Sequence, residues 1–242
     1  MLKLINFEKI LNLATNRFNL LDNETQKSLK EELSNGKALL NDKKQLDAYL
    51  YYYGDIHREK LQIAYKQIPE IINGKEISVI DWGCGQGLAS IILNDFFDNN
   101  SRKIKIVDLT LIEPSKFCLQ QADSYVGWSI PTALRTLICK PEEEVDSDDI
   151  LVQRNIVVHL LSNIVDLPNF IGDGVREFLA MNNNSFNIII CVSPYYAEEG
   201  RGKRMENFGK SLKGFNQIYK LEKHTDEWDN DFSCQIHIYS NS

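Results

Sequence analysis

The chain has 242 residues, 43% of them hydrophobic and 25% charged, with a formal charge of −7. That balance excludes a disordered tail, which needs low hydrophobicity with high net charge. No apolar run approaches the roughly 20 residues of a membrane span. The first nine residues interrupt their apolar stretch with Lys3 and Glu8 too early for a signal peptide, so a cytoplasmic protein is expected. The five cysteines are odd in number and form no C-x-x-C pair. Neither a disulfide framework nor a cysteine zinc site is indicated, and small buried hydrophobes are the expectation. No metal site is expected. Charge is uneven along the chain. Residues 1–75 carry 12 Lys/Arg and 10 Asp/Glu, whereas residues 76–242 carry 15 and 24. An acidic main body argues against autonomous, non-specific nucleic-acid binding, which rests on phosphate neutralisation, but leaves room for a local basic face.

In chain order, the first 75 residues read as helix. Phe7, Ile10, Leu11 and Ala14 recur at helical spacing. Asp22 is an N-cap candidate for a helix through Leu33, with Asn35-Gly36 as its stop. A long helix follows with Leu46, Leu50, Tyr53, His57, Leu61, Ala64 and Ile68 on one face and Pro69 at its end. From residue 76 the pattern alternates. Strands are expected at 77–82, 104–112, 133–139, 155–161 and 186–192. Helices are expected near 87–97, 115–126, 142–153 and 168–181. Such alternation implies a parallel sheet covered on both faces. A helix near 202–212 then precedes two strand-like segments, 216–222 and 232–239, read as a closing antiparallel hairpin. The division expected is a helical N-terminal region, 1–75, and an α/β domain, 76–242. Glu142 to Asp149 holds six acids in eight residues. It reads as the solvated start of a helix, since acids favour the first turn, with a cation site as the alternative.

The first strand runs into Asp81-x-Gly83-x-Gly85-x-Gly87 and then a helix. Glycines let a ligand approach the backbone closely, and open α/β sheets bind ligands at the carboxyl ends of their strands. The spacing is not the dinucleotide fingerprint G-x-G-x-x-G, and no Lys-Ser/Thr pair follows to make a P-loop. Asp81 would repel a phosphate and suits a cationic or hydroxyl-bearing ligand. The second strand ends in Glu113-Pro114, where an acid can accept hydrogen bonds from both hydroxyls of a ribose.

This combination resembles the class I S-adenosylmethionine-dependent methyltransferases over roughly residues 76–242. The resemblance implies a Rossmann-like, seven-stranded α/β sheet of five parallel strands and a C-terminal hairpin. It implies S-adenosylmethionine as cofactor, with Asp81, Gly83, Cys84, Gly85, Gln86 and Gly87 against its amino-acid part and Glu113 and Pro114 at the ribose. Cys139 and Lys140 occupy the place where many members carry an acid near adenine, so backbone and apolar contacts would hold the base. The fourth strand end would face the transferred methyl. Its polar groups are His159, a base candidate or a buried core histidine, Ser162, a cofactor contact, and Asn163, which could fix a substrate or the cofactor's ammonium or cap a helix. Ser193-Pro194-Tyr195-Tyr196 resembles the loop of amino-methylating members but lacks their second proline and follows the fifth strand; Tyr195 is the candidate there. Tyr53 and His57 would close the pocket if the N-terminal helices cover it, and otherwise form an aromatic stripe on the sheet. The basic segment 200–213 could meet the phosphates of an RNA or a protein acceptor, or be a solvated helix face. A fainter likeness is to the methyltransferase-like proteins that associate with the mitochondrial small ribosomal subunit. Those carry a cysteine cluster that this chain lacks, and no residue is carried across. The function implied is methyl transfer to an unidentified acceptor, RNA or protein before small metabolite. The alternatives are a cofactor-binding scaffold acting through a partner, or an enzyme that consumes S-adenosylmethionine by other chemistry.

Overall fold

A computed structural model describes residues 5–34, 38–194, 201–223 and 233–241, and the side chains of the last helix from 203 onward. Three helices come first: α1 (Phe7–Asn19), α2 (Asn23–Glu32) and α3 (Lys43–Tyr65). Asn6, Asp22 and Asp42 cap them, each side chain accepting a backbone N–H three residues on. The Asp22 cap is where the sequence puts it, whereas the expected stop at Asn35-Gly36 lies outside the described residues. The helix α3 ends before Ile68, which is nevertheless buried, and Pro69 opens a single 3-10 turn at Glu70–Ile72.

Alternation then begins: β1 (Glu76–Trp82), α4 (Leu88–Asn99), β2 (Lys105–Ile112), α5 (Lys116–Ser129), β3 (Leu134–Ile138), β4 (Ile156–Ser162), α6 (Asp173–Met181) and β5 (Phe186–Ser193). The helix α7 (Arg201–Ser211) leads to β6 (Asn216–Lys223) and β7 (Cys234–Ser240). The seven strands form one sheet in the order β3-β2-β1-β4-β5-β7-β6. The first five are parallel, while β7 runs antiparallel to both β5 and β6. This is the expected sheet, hairpin included.

Both faces are covered, so strand residues alternate between two apolar layers. Ile77, Val79, Val158, Leu160, Ile188 and Ile190 face one core, which also takes residues from α1, α3, α4 and α5. Ile80, Trp82, Val157, Leu161, Ile189 and Cys191 face the other, beneath α6 and α7. The helices α1 and α3 are therefore built into the first core, while Leu29 of α2 packs in a smaller cluster with Phe18, Leu33 and Leu46. The hydroxyl of Tyr65 donates to Ala89 O (2.9 Å), and the backbone N–H of Phe7 donates to Asp95 Oδ2 on α4 (2.8 Å).

One expectation fails outright. Residues 142–153 form no α-helix but two single 3-10 turns, Glu142–Glu144 and Ser147–Asp149. Six close carboxylates repel one another on a helix. The two anchoring residues, Val145 and Ile150, stand five apart, which no helical face brings together. The run is instead tied locally: Lys140 Nζ pairs with Asp149 (2.8 Å), and the buried Glu142 accepts the backbone N–H of Gly172. The helix expected from 168 starts at Asp173, after Gly172 in a left-handed conformation (φ 79°). Four cysteines are buried, but Cys139 is exposed. Among the described residues no helix is long and apolar enough to cross a membrane.

Candidate functional site

The carboxyl ends of β1, β2 and β4 open onto a cleft of about 500 Å³, within the size range of small-molecule sites. Its floor is the loop between β1 and α4. Gly83, Gly85 and Gly87 all have positive φ (62°, 52° and 74°), which explains the glycine at every second position. Their roles differ. A Cβ on Gly83 would strike the Ile164 side chain at 2.6 Å, and one on Gly87 would press on Val126 and Ala122 of α5. Gly87 thus serves the close approach of α4 to α5 and, unlike the other loop residues expected at the ligand, does not line the cleft. A Cβ on Gly85 would meet nothing within 4 Å. That open space belongs to the cleft.

Asp81, Gly83, Cys84, Gly85, Gln86, Glu113, Pro114, Ser162 and Asn163 all line the cleft. Asp81 is fully buried. Its Oδ2 accepts from Ser90 Oγ (2.6 Å) and Ser90 N (3.3 Å), while Oδ1 has no hydrogen-bond partner. Burial pushes its carboxyl up to about 7. Gln86 donates to Leu46 O (3.2 Å) and leaves Oε1 unpartnered. Unsatisfied buried acceptors are costly, so this end of the cleft suits a donor, above all a cation. Glu113 Oε2 accepts from Gly85 N and Oε1 from Ser115 N, both at 3.0 Å. Burial also raises its carboxyl. Each oxygen keeps a lone pair for a hydroxyl donor. Beside Glu113 a smaller slot of about 100 Å³ runs between Pro114, Pro141 and Ile164, with Lys140 and Phe170 at its sides.

The opposite wall comes from α3 and the residue after β4. Asn163 sits in the left-handed region (φ 60°), a conformation asparagine tolerates better than most residues, with its N–H on Val192 O (2.7 Å). Its side chain meets three groups: Lys60 Nζ (3.2 Å), His57 Nδ1 (2.9 Å) and Ser162 Oγ (3.1 Å). His57 Nε2 in turn meets the Tyr49 hydroxyl (2.9 Å). Lys60 is 2% exposed. Burial lowers its ammonium to about 8 against the opposing pull of Cys234 and Asp166. Burial, reinforced by Lys60, holds His57 well below its usual value, hence neutral. The roof is residues 38–40. Leu40 O accepts from Ser115 Oγ (2.9 Å) and Cys118 Sγ (3.4 Å).

Like Gly87, two further candidates stand apart from the cleft. His159 is fully buried in the second core, stacked on Trp82 and edge-on to Phe178. Trp82 Nε1 can only donate, and does so to His159 Nδ1 (3.3 Å), so Nε2 carries the proton toward Asn187 Oδ1 (3.0 Å). Burial drops its imidazole to about 4. It is a core histidine, out of the cleft and not placed to act as a base there. His159→Ala is expected to cost about 2–5 kcal/mol of stability through a cavity and two unsatisfied partners. Its ligand affinity should stay within twofold; urea unfolding and calorimetry check both. Tyr53 packs its ring near Tyr49 and His57 (centroids 5.3 and 6.4 Å) and is not among the cleft's lining residues; Tyr49, one turn earlier, is. Tyr195 lies outside the described residues. In the basic segment, Lys203, Lys210 and Lys213 are exposed, whereas Arg204 turns inward to donate to Asp166 O (2.8 Å). Sequence reasoning missed Tyr49 and Lys60. The signal for Lys60 was available: it is a charge set into the apolar stripe that holds His57, Leu61 and Ala64.

By sequence, no protein-family model and no curated protein matches the chain. Solved structures do resemble it. One is PH0851, at 11% identity over 75% of this chain and 45% of that one, with a TM-score of 0.50. Another is a SAM-dependent methyltransferase from Leishmania major, at 12% identity over 99% and 87% of the two chains, TM-score 0.49. A third is the plantazolicin methyltransferase BpumL in complex with SAH, at 11% identity over 95% and 100%, TM-score 0.49. At 11% identity the likeness to PH0851 speaks to the fold alone, and the sheet order with its closing hairpin is the one that the resemblance to class I methyltransferases implies.

Proposed function

We propose that this chain binds S-adenosylmethionine in the cleft and transfers its methyl group to an acceptor. One observation carries the reading. The cleft pairs a buried carboxylate, Asp81, one of whose oxygens lacks a partner, with a second acid, Glu113, at the end of the neighbouring strand, and an open glycine cradle lies between them. The donor set fits the cofactor piece by piece. Asp81 Oδ1 and Gln86 Oε1 would take the ammonium, and the free lone pairs of Glu113 would take the two ribose hydroxyls. The slot between Pro114, Pro141 and Ile164 would hold the flat adenine, with no acid needed at Cys139 or Lys140.

The sulfonium supplies an electrophilic methyl when bound, so the chain's task is alignment and exclusion of water. Gly85 lets the ligand lie against the backbone. Leu39, Leu40 and Leu61 give the cleft an apolar cover. Among the described residues, the core position of His159 leaves His57 as the one histidine at the β4 end, and it is neutral and already bonded on both ring nitrogens. An acceptor that is nucleophilic without a strong base agrees with that. RNA or protein is favoured as the acceptor because α7, with Lys203 and Lys210 exposed on it and Lys213 exposed just after it, is tied by Arg204 to the loop after β4 that forms one cleft wall.

Calorimetry with S-adenosylmethionine and S-adenosylhomocysteine tests the reading, followed by mass spectrometry of the cofactor after incubation with copurified RNA and protein. Micromolar binding and the appearance of S-adenosylhomocysteine are expected. Absence of binding to both would overturn it. Glu113→Ala is expected to weaken S-adenosylhomocysteine binding by about 1–3 kcal/mol, since it removes charge-assisted acceptors and frees the Gly85 loop.

A further inference from the structure

The wall formed by Tyr49, His57, Ser162, Asn163 and Lys60 has a direction. An ammonium can only donate, so the Asn163 side chain must turn its oxygen to Lys60 and its nitrogen to His57 and Ser162. The amide's two protons then go to His57 Nδ1 and Ser162 Oγ. A neutral imidazole that accepts at Nδ1 carries its proton at Nε2, so His57 donates to the Tyr49 oxygen. Every hydrogen bond in the chain thus points away from Lys60. It ends at two hydroxyls, Tyr49 and Ser162, which have each accepted one bond and still hold their own proton. Both line the cleft.

The two walls of the cleft are therefore opposite in kind. Asp81 Oδ1 and Gln86 Oε1 are unpartnered acceptors; Tyr49 and Ser162 are donors. A group carrying an ammonium and a carboxylate a few bonds apart satisfies both. We propose that Lys60 is a positioning residue that, through Asn163 and His57, turns the Tyr49 and Ser162 hydroxyls toward the carboxylate of the ligand's amino-acid end. The proposal rests on the cleft being the S-adenosylmethionine site. Lys60 does not line the cleft: it is buried on the inner side of α3, where burial pulls its ammonium down to about 8 and Cys234 of β7 and Asp166 of the loop after β4 oppose that fall. What reaches the ligand is its polarity, relayed through one amide and one imidazole.

The test compares S-adenosylhomocysteine with its decarboxylated analogue, which keeps the amine, by calorimetry on the wild type, Tyr49→Phe, Ser162→Ala and Lys60→Met. Tyr49→Phe and Lys60→Met should each weaken S-adenosylhomocysteine about tenfold and leave the decarboxylated analogue within twofold. Ser162→Ala should show the same discrimination. Nitrogen-15 spectra should find His57 as the Nε2–H tautomer in the wild type and a mixture of tautomers in Lys60→Met. Equal losses for both ligands, or none for S-adenosylhomocysteine, would overturn the assignment. Tyr49→Phe removes a single half-buried hydroxyl, so this arm survives even if Lys60→Met fails to fold. A wild type that binds neither ligand would overturn the cofactor reading as well; a wild type that binds both, with unchanged variants, sinks only the carboxylate wall.

Discussion

Gly85→Arg should abolish binding of both S-adenosylmethionine and S-adenosylhomocysteine, a loss of 100-fold or more, about 3 kcal/mol. Two effects act at this position. The backbone is left-handed (φ 52°), which costs a side-chain-bearing residue about 1–2 kcal/mol. A Cβ there meets open space at a residue that lines the cleft, so the arginine side chain is expected to take the volume the ligand needs. Gly74→Arg separates the two. Gly74 is also left-handed (φ 72°) with nothing within 4 Å, but it lies in the turn before β1, outside the cleft. Both variants should melt lower by a similar amount. Only Gly85→Arg should lose the calorimetric signal, and loss in both would refute the placement of the site.

Asp81 ties affinity to pH. Its carboxyl is raised to about 7 by burial, whereas in the unfolded chain it lies near 4. On this group's account the unliganded fold is stabilised below about pH 4 and loses that stability as pH rises through 7, because the charged form is disfavoured inside. A cationic ligand reverses the preference by pairing with the carboxylate. Binding should therefore release up to one proton below pH 7. S-adenosylhomocysteine should bind about tenfold more weakly at pH 6 than at pH 8. Asp81→Asn should remove this dependence and weaken binding at pH 8, while raising the melting temperature of the unliganded protein at that pH. The variant would gain stability and lose affinity, as expected where a site holds a strained charge for function. A pH-independent wild type would show that Asp81 does not meet a cation.

The β1 loop was legible in the sequence because its physics is local: an apolar strand, an acid and three glycines can do little else. The Asp22 cap and the closing hairpin were legible for the same reason. His159 was not. In a parallel sheet covered on both sides each strand is apolar throughout, so nothing in Ile156–Ser162 tells which face a given residue takes. Only the Trp82 and Asn187 partners, on other strands, reveal it. The acidic run misled because charge count suggested a helix start, while its conformation depends on Lys140 and on a long-range bond to Gly172. Tyr49 was hidden by its neighbours. The run Tyr51-Tyr52-Tyr53 drew the eye, but it is the helical phase relative to Asn163 that decides which ring faces the cleft.

The burial of Lys60 has a consequence for how the chain acquires its shape. The helix α3 packs against β5 and β7, and Cys234 of β7 stands near the lysine. The helix and β7 lie far apart in the sequence, so α3 cannot seal its apolar stripe until the hairpin has docked. Until then the ammonium stays hydrated and the wall it orients does not exist. Closure of such a distant pairing is entropically slow, and the unpaired edge of β5 is open to wrong partners meanwhile. The polarity of the cleft is thus among the last properties to appear during folding, after the sheet and the glycine loop are in place.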